Sequence, residues 1–275
     1  MTASELSRLL SDVSGESAEY EARLLISHFA HYTLSDILLK NPDVCSKELN
    51  EAVKRRLNNE PLAYILGETE FYGKKFLVSP DCLIPRADTE IIVEYAVKNL
   101  KQNAFFADLC TGSGCIAISI LAHRPDCSAI ACDISPKALA LAEKNACLNN
   151  VKERIMFVER DILSDSALDY SFDAVISNPP YIRSDVLSSL PEDVKKEPSI
   201  ALDGGEDGMT FYRRIVSLYS EALRHDGFFL FETGYDQKND ISKLASNNSF
   251  TCECLIDYGK NHRGAVLRKK AQDNL

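Results

Sequence analysis

Asp108-Leu109-Cys110-Thr111-Gly112-Ser113-Gly114 is the stretch that decides the fold class. It closes an apolar run, Phe105 to Leu109, that reads as a buried strand. It then opens a small-residue helix over residues 115–122. Glycines in such a turn let the backbone approach a ligand, and the helix behind it presents N–H groups and a positive dipole end. Moving outward, residues 128–132 read as the next strand, with Asp133 at its carboxyl end. Ser135 caps a helix whose first position is Pro136, where a missing N–H costs nothing. Leu139, Ala142 and Ala146 form its inner stripe, and Asn149-Asn150 ends it. Strands follow at 154–158 and 172–177. A helix over 210–223 and strands at 227–232, 251–256 and 265–268 complete the alternation. This order predicts an α/β fold, a mostly parallel sheet with helices on both faces. Ligands bind such sheets at the carboxyl ends of the strands.

Asp133 is placed to accept hydrogen bonds from ribose hydroxyls. Asp161, after the third strand, is positioned for the amino group of an adenine. Gly112-x-Gly114-x-x-Ala117 equally fits the fingerprint of dinucleotide enzymes. The turn therefore points to a nucleoside-like cofactor without saying which one.

Ser177-Asn178-Pro179-Pro180-Tyr181 follows the fourth strand. Two prolines fix φ and remove two N–H donors, which leaves a stiff loop with outward carbonyls, one amide side chain and one aromatic face. The nitrogen of an amide or an aryl amine is a poor nucleophile because its lone pair is delocalised. A methyltransferase acting on it needs acceptors for the N–H protons and close alignment with an activated methyl group. The Asn178 side-chain oxygen and the Pro179 carbonyl can each accept one N–H, while Tyr181 stacks on the planar group. No nucleophilic side chain, metal or strong base is required. A plain strand-ending turn is the alternative for Asn-Pro-Pro.

The first part of the chain reads as helices: 19–29, a short one at 34–39, and one capped by Ser46 that carries Leu49, Val53 and Leu57. Residues 64–83 shift towards strand, and Phe71-Tyr72-Gly73-Lys74-Lys75-Phe76 reads as a hairpin turning at Gly73. The 275 residues carry a net charge of −10, and residues 1–70 hold 7 Lys/Arg against 12 Asp/Glu. Such acidity argues against a sequence-independent grip on a nucleic-acid backbone and suits a basic protein partner. No apolar run reaches the length of a membrane span, and residues 1–10 have no signal-peptide pattern; the expected location is the cytoplasm. The nine cysteines include no C-x-x-C pair, so they read as reduced structural thiols rather than zinc ligands.

From about residue 60 the chain resembles the release-factor glutamine methyltransferases (HemK/PrmC). The shared blocks are Pro61-Leu62-Ala63-Tyr64-Ile65-Leu66-Gly67, Phe71-Tyr72-Gly73, Leu83-Ile84-Pro85-Arg86 leading to Thr89-Glu90, Asp133-Ile134-Ser135-Pro136-Lys137-Ala138-Leu139-Ala140 and Ser177-Asn178-Pro179-Pro180-Tyr181-Ile182. Glu197-Pro198, Ala201-Leu202-Asp203-Gly204-Gly205, Gly208 and Gly234-Tyr235-Asp236-Gln237 follow. The resemblance implies a Rossmann-like seven-stranded S-adenosylmethionine-dependent methyltransferase domain behind a small N-terminal helical domain. Expected limits are 1–62 for the helical substrate-recognition domain, 63–84 for a β-hairpin linker and 85–275 for the methyltransferase domain. It further implies methylation of the side-chain amide nitrogen of the glutamine in the Gly-Gly-Gln motif of class I peptide chain release factors. Carried over, the cofactor residues are Asp108, Cys110, Thr111, Gly112, Ser113, Gly114, Asp133, Ile134, Asp161, Ile162 and Asn178. Asn178, Pro179, Pro180 and Tyr181 hold the glutamine, with Arg86 beside them. Two positions depart from the pattern: the family usually has glycine at Cys110, which bears on close backbone approach there, and often an aromatic residue at Ile162, so adenine would pack on an aliphatic wall.

Three rival readings remain at this level. An adenine-methylating nucleic-acid enzyme would use the same loop but needs a basic surface. A dinucleotide oxidoreductase would leave Asn178 to Tyr181 as a mere turn. A non-catalytic relative would have no reason to keep Gly112, Asp133 and Asn178 together. A further expectation is that residues 1–60, acidic and separately helical, dock the release factor outside its Gly-Gly-Gln loop.

Overall fold

A computed structural model describes residues 1–257 and 259–270; the last five residues of the expected methyltransferase domain lie outside the described residues. Contacts divide the chain into two units. One comprises Met1–Glu68 with Pro191–Lys196, the other Thr69–Leu190 with Glu197–Leu275.

The first unit is helical: α1 (Ala3–Ser14), α2 (Ala18–Ala30), α3 (Leu34–Lys40), α4 (Lys47–Leu57) and α5 (Leu62–Leu66). Thr2 and Glu5 start α1 with a reciprocal capping box, so two N–H groups of the first turn are satisfied by side chains. Leu6, Leu10, Leu25, Ile26 and Leu49 form the core, each fully buried. Glu21 and Arg56 are buried among them as an ion pair at 2.7 Å. Ser14 and Ser17 donate to the carboxylate, and Arg56 also reaches the Val13 carbonyl. A buried pair needs such extra partners to offset its desolvation. Two features differ from the sequence reading. Residues 3–14 form a helix that the reading passes over, and residues 64–66, read as strand-like, belong to the helix Leu62–Leu66, so strand begins only at Glu68. Gly67, left-handed at φ 73°, ends α5 by donating its N–H to the Ala63 carbonyl.

The second unit opens with the hairpin expected around Gly73, formed by β1 (Glu68–Phe71) and β2 (Lys74–Leu77). Its main sheet has seven strands. With β3 (Phe105–Leu109), β4 (Ser128–Asp133), β5 (Ile155–Glu159), β6 (Phe172–Ser177), β7 (Leu223–Glu232), β8 (Phe250–Ile256) and β9 (His262–Lys269), the order is β5-β4-β3-β6-β7-β9-β8. Pairing is parallel from β5 through β7, and β9 runs antiparallel to both its neighbours. The helices α6 (Glu90–Asn99), α7 (Cys115–His123), α8 (Pro136–Leu148), α9 (Thr210–Tyr219) and α10 (Lys238–Asn247) complete the unit. Buried apolar clusters lie on both faces of the sheet. Phe106, Ala131, Ile176 and Leu230 point into one, and Leu109, Ile130, Val175 and Phe229 into the other. The helix read over 210–223 ends at Tyr219, because Ala222 and Leu223 are drawn into the sheet. The Ala222 carbonyl accepts from the Phe172 N–H, and Leu223 pairs with Phe172.

The chain order reverses between β3 and β6, which are neighbours at the centre of the sheet. Leu109 and Ser177 end these strands in register. Cys110 and Asn178 therefore emerge side by side at the topological switch point, where ligands of open α/β sheets bind.

Candidate active site

A cleft holding about 1100 Å3 of empty space, its open mouth included, lies at this point. Its wall includes Cys110, Thr111, Gly112, Asp133, Ile134, Asp161, Ile162, Asn178, Pro180 and Arg86. Five other residues singled out from the sequence, Asp108, Ser113, Gly114, Pro179 and Tyr181, are not among its lining residues.

The Gly-rich turn is braced by its own acids. Asp108 is fully buried, and its Oδ2 accepts from the Thr111 hydroxyl at 2.6 Å and the Ala117 N–H at 3.2 Å. Its Oδ1 has no partner among the described residues. Burial pushes the Asp108 carboxyl up to about 7. Asp133 Oδ2 accepts the Gly112 N–H at 2.8 Å and Oδ1 the Ser135 N–H at 3.0 Å. Desolvation raises its pKa, against the pull of those N–H groups. Each Asp133 oxygen keeps a second acceptor site for a hydroxyl. The N–H groups of Thr111, Gly112, Gly114 and Ala117 all bond within the protein, so the turn offers a ligand fewer free donors than its sequence promises.

Gly114, at φ 82°, lies so close to α7 and α8 that an added Cβ would meet Ile118 Cδ1 at 2.7 Å and Ala142 Cβ at 3.1 Å. Its role in the structure is close packing of turn on helix. Cys110 is the unusual residue: it adopts φ 58°, in the left-handed region that favours glycine. A Cys110→Gly variant is expected to unfold at a temperature no lower than the parent. Cys110→Val, β-branched in the same conformation, should lose about 1–2 kcal/mol; thermal unfolding of the two checks this.

Beside Asp133 the lining includes apolar residues. Ile134 is 42% exposed, Leu163 is similarly open, and Ile162 is buried beneath. Asp161 accepts from the Leu163 N–H on Oδ1 and the Ser164 hydroxyl on Oδ2, and each oxygen keeps a second acceptor site. Arg86 is paired with the buried Glu197, which also accepts the Ile84 N–H at 3.0 Å. Glu197 thus fixes the 84–86 segment at the rim.

The loop after β6 is held by a second strip of chain. Ile182 donates to Leu202, and Gly204 donates back to Ile182 at 2.7 Å. Gln237 Nε2 donates to the Tyr181 and Gly208 carbonyls. The Tyr181 ring packs towards a buried cluster and its hydroxyl donates to Glu232 at 3.3 Å. Glu232, Gln237, Glu197 and Asn145 are structural partners of the site that sequence reasoning gave no role. Asn145, buried in α8, bonds both the Leu77 backbone and the Ser113 carbonyl, tying hairpin to turn. One usable signal existed: Glu232, like Asp133, is an acid ending an apolar strand.

Residues 87–191 match the family model "Methyltransferase small domain", and residues 3–67 match "PrmC N-terminal domain". A release factor glutamine methyltransferase of Fusobacterium nucleatum is 35% identical over 94% of this chain and 78% of its own. One from Neisseria gonorrhoeae is 36% identical over 84% of this chain and 86% of its own. The chain belongs to the release factor glutamine methyltransferase family. As a member of that family it is an enzyme, a methyltransferase that uses S-adenosylmethionine. The hMettl16 catalytic domain shares its fold, with a TM-score of 0.57 and 17% identity over 86% of this chain and 87% of that one. Among the described residues no helix is long and apolar enough to cross a membrane.

The cleft suits the cofactor of this family. Asp133 gives a carboxylate for hydroxyl groups, and Ile134 and Ile162 give apolar surface for a flat base. The wall carries Asp81, Asp133 and Asp161 against Arg86 and Arg160, and Arg86 is itself paired with Glu197.

Proposed function

We propose that this protein transfers the methyl group of S-adenosylmethionine to the side-chain amide nitrogen of the glutamine in the Gly-Gly-Gln motif of class I peptide chain release factors. The observation that carries this reading is one cleft lined both by the turn after β3, with Asp133, and by Asn178 and Pro180 after β6. The names of the curated relatives supply the substrate class.

In this reading the cofactor, when bound, supplies an electrophilic methyl carbon on a sulfonium. Asp133 accepts its ribose hydroxyls, Cys110 to Gly114 shape the turn beside it, and Ile134, Asp161 and Ile162 receive the base. The glutamine carboxamide is gripped by the Asn178 Oδ1 and the Pro179 carbonyl, each accepting one N–H. Pro180 keeps those acceptors stiff, and Tyr181, its ring against the buried cluster and its hydroxyl on Glu232, holds the end of the loop from behind. Both acceptors favour the positive charge that develops on nitrogen during attack. The extra proton leaves after transfer, so no base is built in. Arg86 is a rim residue in this scheme, oriented by Glu197.

Residues 1–62 are assigned to recognition of the release factor, 63–84 to the link and 85–275 to methyl transfer. A substrate acting in translation places the enzyme in the cytoplasm. The net charge of −10 supports a protein rather than a nucleic-acid partner. The recognition role has a specific surface behind it: Leu38 and Leu39 on α3 are 59% and 85% exposed. Leu38→Asp/Leu39→Asp is expected to raise KM for the whole release factor about tenfold or more. Transfer to a short Gly-Gly-Gln peptide should stay unchanged; an equal effect on both would remove these leucines from recognition.

Labelled S-adenosylmethionine offered with a class I release factor tests the main reading. Transfer is expected to the intact factor, and none to a factor whose motif glutamine is alanine or to an adenine-containing oligonucleotide. Label on the oligonucleotide instead would favour base methylation.

A further inference from the structure

Glu232 ends β7 at the heart of the second unit and is 1% exposed. Its carboxylate receives two hydroxyls: Thr89 donates to Oε2, and Tyr181 donates to Oε1 at 3.3 Å. Thr89 stands at the N-cap of α6, yet its hydroxyl makes no cap bond. It is committed to Glu232 instead. On its other side the same oxygen accepts from Asn178 Nδ2 at 3.4 Å.

This chain of bonds has a direction. An ionised carboxylate has no proton to give, so the Thr89 hydrogen must point at Glu232. Thr89 then presents only a lone pair to Asn178, which answers with its NH2 end. The Asn178 oxygen is left for the cleft. The two ends of an amide are nearly the same size and shape, so hydrogen-bond polarity rather than packing selects between them.

We propose that Glu232 is a positioning residue for methyl transfer: through the Thr89 hydroxyl it fixes which end of the Asn178 amide faces the substrate, and through Tyr181 it anchors the other end of the same loop. The proposal rests on the reading of Asn178 Oδ1 as an acceptor of the substrate N–H. Its electrostatics are consistent. Burial pushes the Glu232 carboxyl up to about 7, while the two hydroxyl donors and the Arg263 charge favour the ionised form. Nearby Asp88 works the other way.

Glu232→Gln keeps the shape and reverses the polarity. The glutamine oxygen still accepts from Tyr181, but its NH2 donates to Thr89. The Thr89 hydrogen is then free to turn to Asn178, which must answer with its oxygen. At about pH 8, above the value near 7 to which burial lifts Glu232, Glu232→Gln is expected to lose about 10- to 100-fold in kcat, the scale known for hydrogen-bond partners that orient metal-site ligands. KM for the release factor, affinity for S-adenosylmethionine and the melting temperature should be little changed. A purely structural role would move the melting temperature and not single out kcat. Thr89→Ser keeps the hydroxyl and should keep kcat, whereas Thr89→Val should fall with Glu232→Gln.

Asn178→Ala is run beside them as a check on the underlying reading. If Asn178→Ala is impaired while Glu232→Gln turns over at the parent rate, the relay is wrong and the loop assignment stands. If Asn178→Ala itself turns over normally, both fall. Should Glu232→Gln fail to fold, the Thr89 pair decides: equal kcat in Thr89→Ser and Thr89→Val overturns the proposal.

Discussion

Asn178→Ala is expected to lower kcat for release-factor methylation by about 100- to 1000-fold, the cost typical of deleting one preorganised partner of developing charge. The effect should fall on kcat because the rest of the loop survives the change. Pro179 and Pro180 hold their own φ values. Ile182 stays bonded to Leu202 and Gly204, and Gln237 still holds the Tyr181 carbonyl. What disappears is one acceptor at the carboxyl end of β6 and the donor to Thr89. Affinity for S-adenosylmethionine should drop much less, since the turn and Asp133 are untouched. Steady-state methyl transfer with calorimetric titration of the cofactor separates the two. A loss confined to cofactor affinity would show that Asn178 serves the cofactor and not the glutamine.

Gly204→Ala is expected to be nearly as damaging, although residue 204 does not line the cleft. A Cβ there would sit 2.7 Å from Tyr181 Cα and 2.8 Å from the Pro180 oxygen. These are backbone atoms on both sides, so no side chain can swing away. Either the strip 202–205 or the loop 178–182 must shift. Overpacking of this kind costs about 1–3 kcal/mol of stability, and a displacement of about 1 Å at a reacting group can cost about 100-fold in rate. Thermal unfolding and kcat should therefore both fall. An alanine variant with the parent's rate would mean that the loop tolerates displacement, contrary to the rigid grip proposed for it. The same crowding recurs at Gly208, where a Cβ would approach the Tyr181 oxygen to 2.4 Å. These two glycines lie in blocks that the resemblance picked out without giving a reason; their reason is room for the Tyr181 backbone.

The strands that build the cleft were legible because each announces itself locally. Phe105 to Leu109 and Phe172 to Ser177 are mostly apolar runs, each broken by one buried carboxylate, Asp108 and Asp173, as strands buried on both faces are mostly apolar. Ser135 and Pro136 mark a helix start by their own chemistry, and the Ser135 hydroxyl does accept the Ala138 N–H. The end of α9 was not legible, because Leu223 is apolar enough to continue the helix and is claimed instead by pairing with Phe172. The helix α5 was misread for a related reason: five residues are too few to show a period, and Gly67 supplies the only stop signal. The supports of the site were hidden by distance along the chain. Thr89 and Glu232 are 143 positions apart, and Ile84 and Glu197 are 113 apart. No local pattern of a single sequence encodes such a pairing. The preference for glycine at residue 110 could be stated but not explained until its left-handed backbone was seen.

On the proposed reading, the loop after β6 presents a glutamine carboxamide to the methyl donor. Fragment mass spectrometry of a class I release factor, after reaction with the enzyme and S-adenosylmethionine, locates the methyl group. A single methyl group is expected, on the side-chain nitrogen of the Gly-Gly-Gln glutamine. A methyl group on any other residue of the factor, with that glutamine unmodified, would contradict it.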